Sequence, residues 1–200
     1  MHYTLAYLFR RDDIDREQFR THYEDCHTRL ARSTLPEFSH YRRNHVIATT
    51  APAQCPDSFS EFGFADEAQV AETSAILADA RGRVLLDDEL TFMDKPRNRI
   101  FLIARDDVDS ADTDHKYIVV VQGGGAAAKL WLTALADIDA GLRKASICSE
   151  LGVDDEQQTH WLMAWSKVEP DLPVLEQRLR GLAVPVQWSA TVSEHRGYPG

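Results

Sequence analysis

The sequence predicts an α+β fold made of two tandem copies of a split βαβ unit. The order strand, helix, strand, strand, helix, strand reads twice along the chain, and each copy alone would leave one face of an antiparallel four-stranded sheet uncovered. The 200 residues suffice for two units, since domains commonly run ~100 to 200 residues. A chain of this length buries roughly 70% of the surface its unfolded form exposes, so a core needs neither metal nor disulfide. Two such sheets can cover each other, giving a barrel-like core with helices outside. At ~25 cal/mol per Å², burying ~1,000 Å² of apolar area supplies on the order of 25 kcal/mol before chain entropy is counted.

In the first copy, YTLAYLF at 3–9 is an apolar strand. Asp15 and Gln18 form a capping box that opens a helix. On that helix Phe19, Tyr23, Cys26, His27 and Leu30 recur at spacings of three and four and share one face, while Arg20, Glu24 and Asp25 take the other. Pro36 stops it. Strands follow at 40–49 and at 58–64, where Phe59 and Glu61 point one way and Ser60, Phe62 and Phe64 the other. A second helix is expected at 66–80, with Val70, Ser74 and Leu77 in a stripe, and a fourth strand at 97–104.

A polar, Asp-rich segment at 105–116 joins the copies, which divides the chain into units 1–108 and 109–200. The second copy gives a strand at 117–121 and a helix at 126–142 with Leu130, Ala134 and Ile138 in line. Strands at 144–149 and 160–168, a helix at 172–182 and a strand at 184–194 complete it. Gly123 to Gly125 read as a tight turn; GGG is neither GxGxxG nor a P-loop. The four tryptophans, 131, 161, 165 and 188, all fall in this copy, as core or as an aromatic wall. Its first helix carries neither His nor Glu, which marks this half as a scaffold.

The charge balance, 22 basic against 32 acidic residues, gives −10. That sign argues against a nucleic-acid partner, whose affinity rests on clustered Lys and Arg. RRNH at 42–45 could hold one anion. Three separated cysteines without CxxC spacing, and a start without an apolar signal run, point to the cytoplasm. No apolar run reaches the ~20 residues a bilayer crossing needs, so no membrane partner is expected.

His27, on the apolar stripe, is either a satisfied structural histidine or a group poised to move a proton near neutral pH. Glu61 on an aromatic strand would have its pKa raised by desolvation, which suits an acid or base. Tyr41, Arg43 and His45 alternate onto one face of their strand. Asp87, Asp88 and Glu89 crowd three carboxylates together, as a solvated loop or, if one is protonated in a pocket, as a proton donor. His22 and His27, five apart, should sit on different parts of the helix. No HExxH, GxSxG or EF-hand occurs, and nothing demands a metal.

The stretch FRTHYEDCHTRLARSTLPEFSHYRRNHV, followed by DDELTFMD, resembles the EthD-domain family of the dimeric α/β-barrel superfamily over about residues 1 to 105. His27 matches the histidine after an FRxHY-like stretch; Tyr41, Asn44 and His45 match Y-x-x-N-H; Asp88, Glu89 and Phe92 match an acidic segment; Glu61 matches an acidic position. The second half is similar only in element order. The resemblance implies ferredoxin-like units paired through their sheets, here as a dimeric-α/β-barrel-like pseudo-dimer within one chain, and leaves room for a homodimer. It also implies chemistry with no cofactor, although relatives of this fold can hold haem.

The expected activity is a dehydratase or cyclase, a lyase acting next to a carbonyl on a polyketide-like or aromatic substrate. In this reading His27, tuned by Glu61, takes the proton while Tyr41 or His45 donates to the enolate oxygen. Asp88 and Glu89 stand by as acids, and Tyr7, Arg43, Asn44 and Phe92 bind substrate. A cofactor-independent monooxygenase of an electron-rich aromatic or quinol substrate is the alternative, and a non-catalytic ligand-binding or stabilising protein the third reading.

Overall fold

The computed structural model describes residues 2–105 and 115–197. The segment expected to join the two copies, and the boundary at 108/109 within it, lie outside the described residues. The chain forms two compact units. One comprises Met1–His45, Pro56–Phe101 and Glu194–Gly200, the other Val46–Cys55 and Leu102–Ser193. Each unit therefore takes in a short piece from the far half of the sequence.

In the first unit, β1 (His2–Leu8) and β2 (His40–Thr49, as far as His45) both pair antiparallel with β3 (Ser58–Phe64). In that register Leu5 faces Glu61, Tyr7 faces Phe59 and Arg43 faces Ser60. The helical layer starts with α1 (Arg16–His22), whose Asp15 cap accepts from Gln18 N while Gln18 Oε1 accepts from Asp15 N, both at 2.8 Å. A π turn at Tyr23–His27 and α2 (Thr28–Thr34) follow. Ala6, Leu8, Phe19, Tyr23, Phe92 and Met93 form the core between sheet and helices.

Two expectations for this unit are corrected. The helix expected at 66–80 is α3 (Glu67–Ala78), and it buries Thr73 and Ile76 while Ser74 and Leu77 are exposed. Asp79 then breaks the helix and caps the next, so the acidic run is no loop: it lies in α4 (Ala80–Phe92). Gly82 makes that corner possible, since a Cβ there would stand 2.3 Å from the Leu77 carbonyl oxygen. α4 packs back on α2 and the π turn, and β4 (Arg99–Arg105) follows it.

The second unit holds β5 (His115–Gln122), α5 (Ala128–Ile138), β6 (Leu142–Glu150), β7 (Thr159–Ser166), α6 (Leu172–Gly181) and most of β8 (Val186–Arg196). Its strands run β6-β7-β5-β8, all antiparallel, and the end of β4 pairs with β6. The order β2-β3-β1 of the first unit thus repeats as β6-β7-β5. α5 is shorter than expected because Asp139 ends it, and its buried face is Ala128, Trp131 and Leu135; Leu130 is exposed. With Leu172, Leu175 and Leu179 of α6 and the outward residues of β5 and β7, these make the second core. Gly123, at φ +145°, makes the turn out of β5 that only glycine takes readily. All four tryptophans are buried.

Candidate active site

A π turn assembles the site. Across Tyr23–His27 the chain spends one more residue per turn than an α-helix, and Thr28 N–H donates to Tyr23 O. Positions five apart then stack on one face. His22 and His27 consequently converge on one carboxylate of α4: His22 Nε2 lies 2.8 Å from Asp88 Oδ1, and His27 Nδ1 lies 2.7 Å from Asp88 Oδ2. The expectation that the two imidazoles diverge assumed α-helical phase and is corrected by this turn. So is the stripe, because Cys26 is exposed.

The carboxylate beside His27 is therefore Asp88 and not Glu61. Burial alone would raise the Asp88 pKa, but hydrogen bonds from His27 and His22 overcome it and hold the group below its ordinary value. His27 is 7% exposed, with the rings of Tyr23 and Phe92 at 5.3 and 5.5 Å. An ionised carboxylate only accepts, so His27 donates from Nδ1 and its neutral ring carries a lone pair on Nε2. Among the described residues that nitrogen has no hydrogen-bond partner.

The same turn swings Glu24 inward, where the sequence reading had it on the outer face. Arg43 grips it in a two-pronged ion pair, Nε to Oε1 and Nη2 to Oε2, each 2.8 Å. His45 Nε2 lies 2.6 Å from Oε1, and His195 Nδ1 lies 3.6 Å from Oε2. Burial would push Glu24 up; hydrogen bonds from His45 and Arg43, with the Arg43 charge, pull it down to about 2. His45 is held below the usual histidine value by burial, against the pull of Glu24. Its Nδ1 is buried and has no partner.

Tyr23 stands between the two histidines, its ring 5.3 Å from His27 and 5.4 Å from His45. Its hydroxyl meets Ser60 Oγ at 2.9 Å and receives Tyr41 O–H at 3.4 Å. Burial pushes the phenol up to about 12, against those two hydrogen bonds. It stays protonated at neutral pH.

The expected residues split between the faces of the sheet. His27, Tyr41, Arg43, His45, Asp88 and Phe92 gather on the helix side, with Phe92 packed against Phe19, His22, Tyr23 and His27. Strand alternation places Tyr7, Asn44 and Glu61 on the opposite side. There Tyr7 contacts Phe59 and Phe101, and Asn44 Nδ2 donates to Phe59 O and Glu61 Oε1, both at 2.9 Å. Glu61 is 1% exposed and also has His40 Nε2 at 3.4 Å. Glu89 parts from Asp88 to pair with Lys95. The sequence reading missed Glu24, His22, Tyr23 and His195 as site residues. A signal existed for Glu24, because Arg43 and His45 share a strand face and need a counterion; none existed for His195, some 150 residues away.

Solved structures share this fold over the whole chain. A candidate monooxygenase of Lactobacillus acidophilus NCFM aligns with a TM-score of 0.52 and 10% identity, covering 100% of this chain and 96% of the other. An anthrone oxidase-like protein gives 0.58 and 11%, covering 98% and 93%. A candidate monooxygenase of Fusobacterium nucleatum subsp. nucleatum gives 0.58 and 7%, covering 100% and 94%. The protein is thus an α+β protein of the dimeric α/β-barrel class. More narrowly, residues 11–96, which hold α1, the π turn, β2, β3 and α4, match the family described as EthD domain. No curated protein matches the sequence. No helix among the described residues is long and apolar enough to cross a membrane.

Proposed function

We propose that the EthD unit is a cofactor-independent acid–base enzyme of the cytoplasm that removes a proton next to a carbonyl of a small aromatic or polyketide-like compound. The observation that carries this reading is the Asp88–His27 pair, a fixed imidazole whose far nitrogen is unoccupied. His27 Nε2 takes the proton, and Asp88 holds the ring orientation and stabilises the imidazolium that forms. The electron pair left on carbon spreads onto the carbonyl oxygen as an enolate. In a substrate with a hydroxyl β to the carbonyl, the enolate expels that hydroxyl, which leaves as water with the proton returned from His27; this is a dehydratase. Tyr23, whose phenol burial pushes up to about 12, and Tyr41 beside it are the nearby O–H groups suited to the enolate oxygen.

A second reading starts with the same proton transfer. The names of the fold relatives, candidate monooxygenases and an anthrone oxidase-like protein, favour a carbanion that adds dioxygen. The resulting hydroperoxide loses water and leaves a new carbonyl, so one O2 turns a CH2 into C=O and one H2O.

The test is proton exchange of the anthrone methylene in deuterated buffer, with oxygen uptake followed on the same sample and enone absorbance followed on a β-hydroxyketone. Wild type should catalyse exchange, and His27→Gln should slow it by about 10² or more, about 2.7 kcal/mol in the barrier. Exchange at the wild-type rate in His27→Gln would remove His27 as the base. Oxygen uptake selects the monooxygenase, enone formation the dehydratase, and ligand retention without exchange the binding protein.

A further inference from the structure

We propose that His45 is a second substrate-contacting group of this site, a hydroxyl acceptor that selects substrates carrying a phenol-type or alcohol O–H beside the reacting carbonyl; this rests on the reading of the site as a proton-transfer centre. Glu24 is an ionised acceptor, so the hydrogen of the neutral His45 ring must lie on Nε2, pointing at Oε1. Nδ1 is then a bare acceptor. It cannot donate to an enolate oxygen, which reverses the role the sequence reading gave this residue. The polarity is locked from behind, because Arg43 holds both oxygens of Glu24.

That nitrogen is buried and unpartnered, on a side chain only 4% exposed. An unsatisfied buried acceptor is destabilising, and a donor from a ligand would relieve it. Three aromatic rings stand edge-on to His45: Phe19 at 6.3 Å, Tyr23 at 5.4 Å and His195 at 5.3 Å. Phe19 and Tyr23 are core residues at 1% exposure. His195, with 38% of its side chain exposed, is the one of these three rings that reaches solvent. None of the charged or titratable groups around His45, namely Glu24, Arg43, His195 and Tyr23, donates to Nδ1. An incoming hydroxyl meets no competitor there.

Gln is the informative substitution, because its amide nitrogen replaces Nε2 toward Glu24 and leaves nothing at the position of Nδ1. The experiment compares binding of 4-cresol with that of 4-methylanisole, which has the same ring without the O–H, in wild type, His45→Gln and His27→Gln. Wild type and His27→Gln should prefer the phenol by 10-fold or more, and His45→Gln should lose that preference at an unchanged Tm. The His45 imidazole ¹⁵N signals give a measurement that needs no variant: Nδ1 should shift on adding 4-cresol and stay put with 4-methylanisole. Absence of a preference in wild type, its survival in His45→Gln, or an unmoved Nδ1 signal would overturn the proposal. Both readouts concern binding, so they stand apart from the proton-exchange assay that tests the base.

Discussion

Glu24 and Arg43 carry the heaviest electrostatic stake of any residues in the site. The Arg43 side chain is 2% exposed and Glu24's 14%, so each depends on the other for having left water. Removing one partner of such a pair leaves a buried charge uncompensated, which typically costs 3–5 kcal/mol. Glu24→Ala should therefore destabilise the protein by about 3 kcal/mol, lowering Tm by roughly 6–12 °C for a chain of this size. A calorimetric melt within a degree or two of wild type would show that Arg43 finds another counterion. Asp88 is the contrasting case, because its partners are two imidazoles and not a permanently charged guanidinium. Asp88→Asn should cost little stability but leave His27 without the carboxylate that stabilises its protonated form, so proton exchange should fall while the melt stays close to wild type.

At the level of elements, the site depends on two interruptions of helical regularity, and these mark the limit of what the sequence shows. Strand alternation on β2 correctly groups Tyr41, Arg43 and His45, and the capping box correctly starts α1, since both follow from local geometry. The π turn has no comparable local signature. Reading through it with a 3.6-residue period misplaced Glu24, Cys26 and His22, the residues whose facing an inserted position changes. The corner between α3 and α4 was missed because Asp79 ends one helix and caps the next within a run that reads as continuous. Gly82 tests that corner. With Leu77 backbone atoms 2.3 to 2.5 Å from where its Cβ would be, Gly82→Ala cannot be absorbed by a side-chain rotation, and overpacking of this kind costs about 1–3 kcal/mol. The corner should shift α4, so Gly82→Ala is expected to lower both Tm and the exchange activity that needs Asp88 against His27. A variant with lowered Tm and full exchange would mean that the corner supports the fold alone.

For the molecule as a whole, the groups with displaced pKa values act in one direction on acidification. His45 is displaced below its ordinary value of 6.5, Glu24 from 4.5 to about 2, and Asp88 below 3.8. In every case the unfolded chain binds a proton at a higher pH than the folded one, so falling pH favours unfolding. The stability these groups contribute is complete above the unfolded values and is lost as pH drops through the folded ones. The curve should be level from about pH 8 to 7, begin to fall below about 6.5 as His45 is titrated in the unfolded chain, and steepen below about 4.5 as Glu24 and Asp88 follow. Urea melts at pH 7.5, 5.5, 4 and 3 would trace it. His45→Gln removes the first part of the decline and leaves the second, because Glu24 and Asp88 keep their remaining partners. A wild-type protein as stable at pH 3 as at pH 7.5, or a His45→Gln protein with an unaltered loss between pH 7.5 and 5.5, would mean that other groups govern the acid response and that the buried cluster is not what ties this fold to neutral pH.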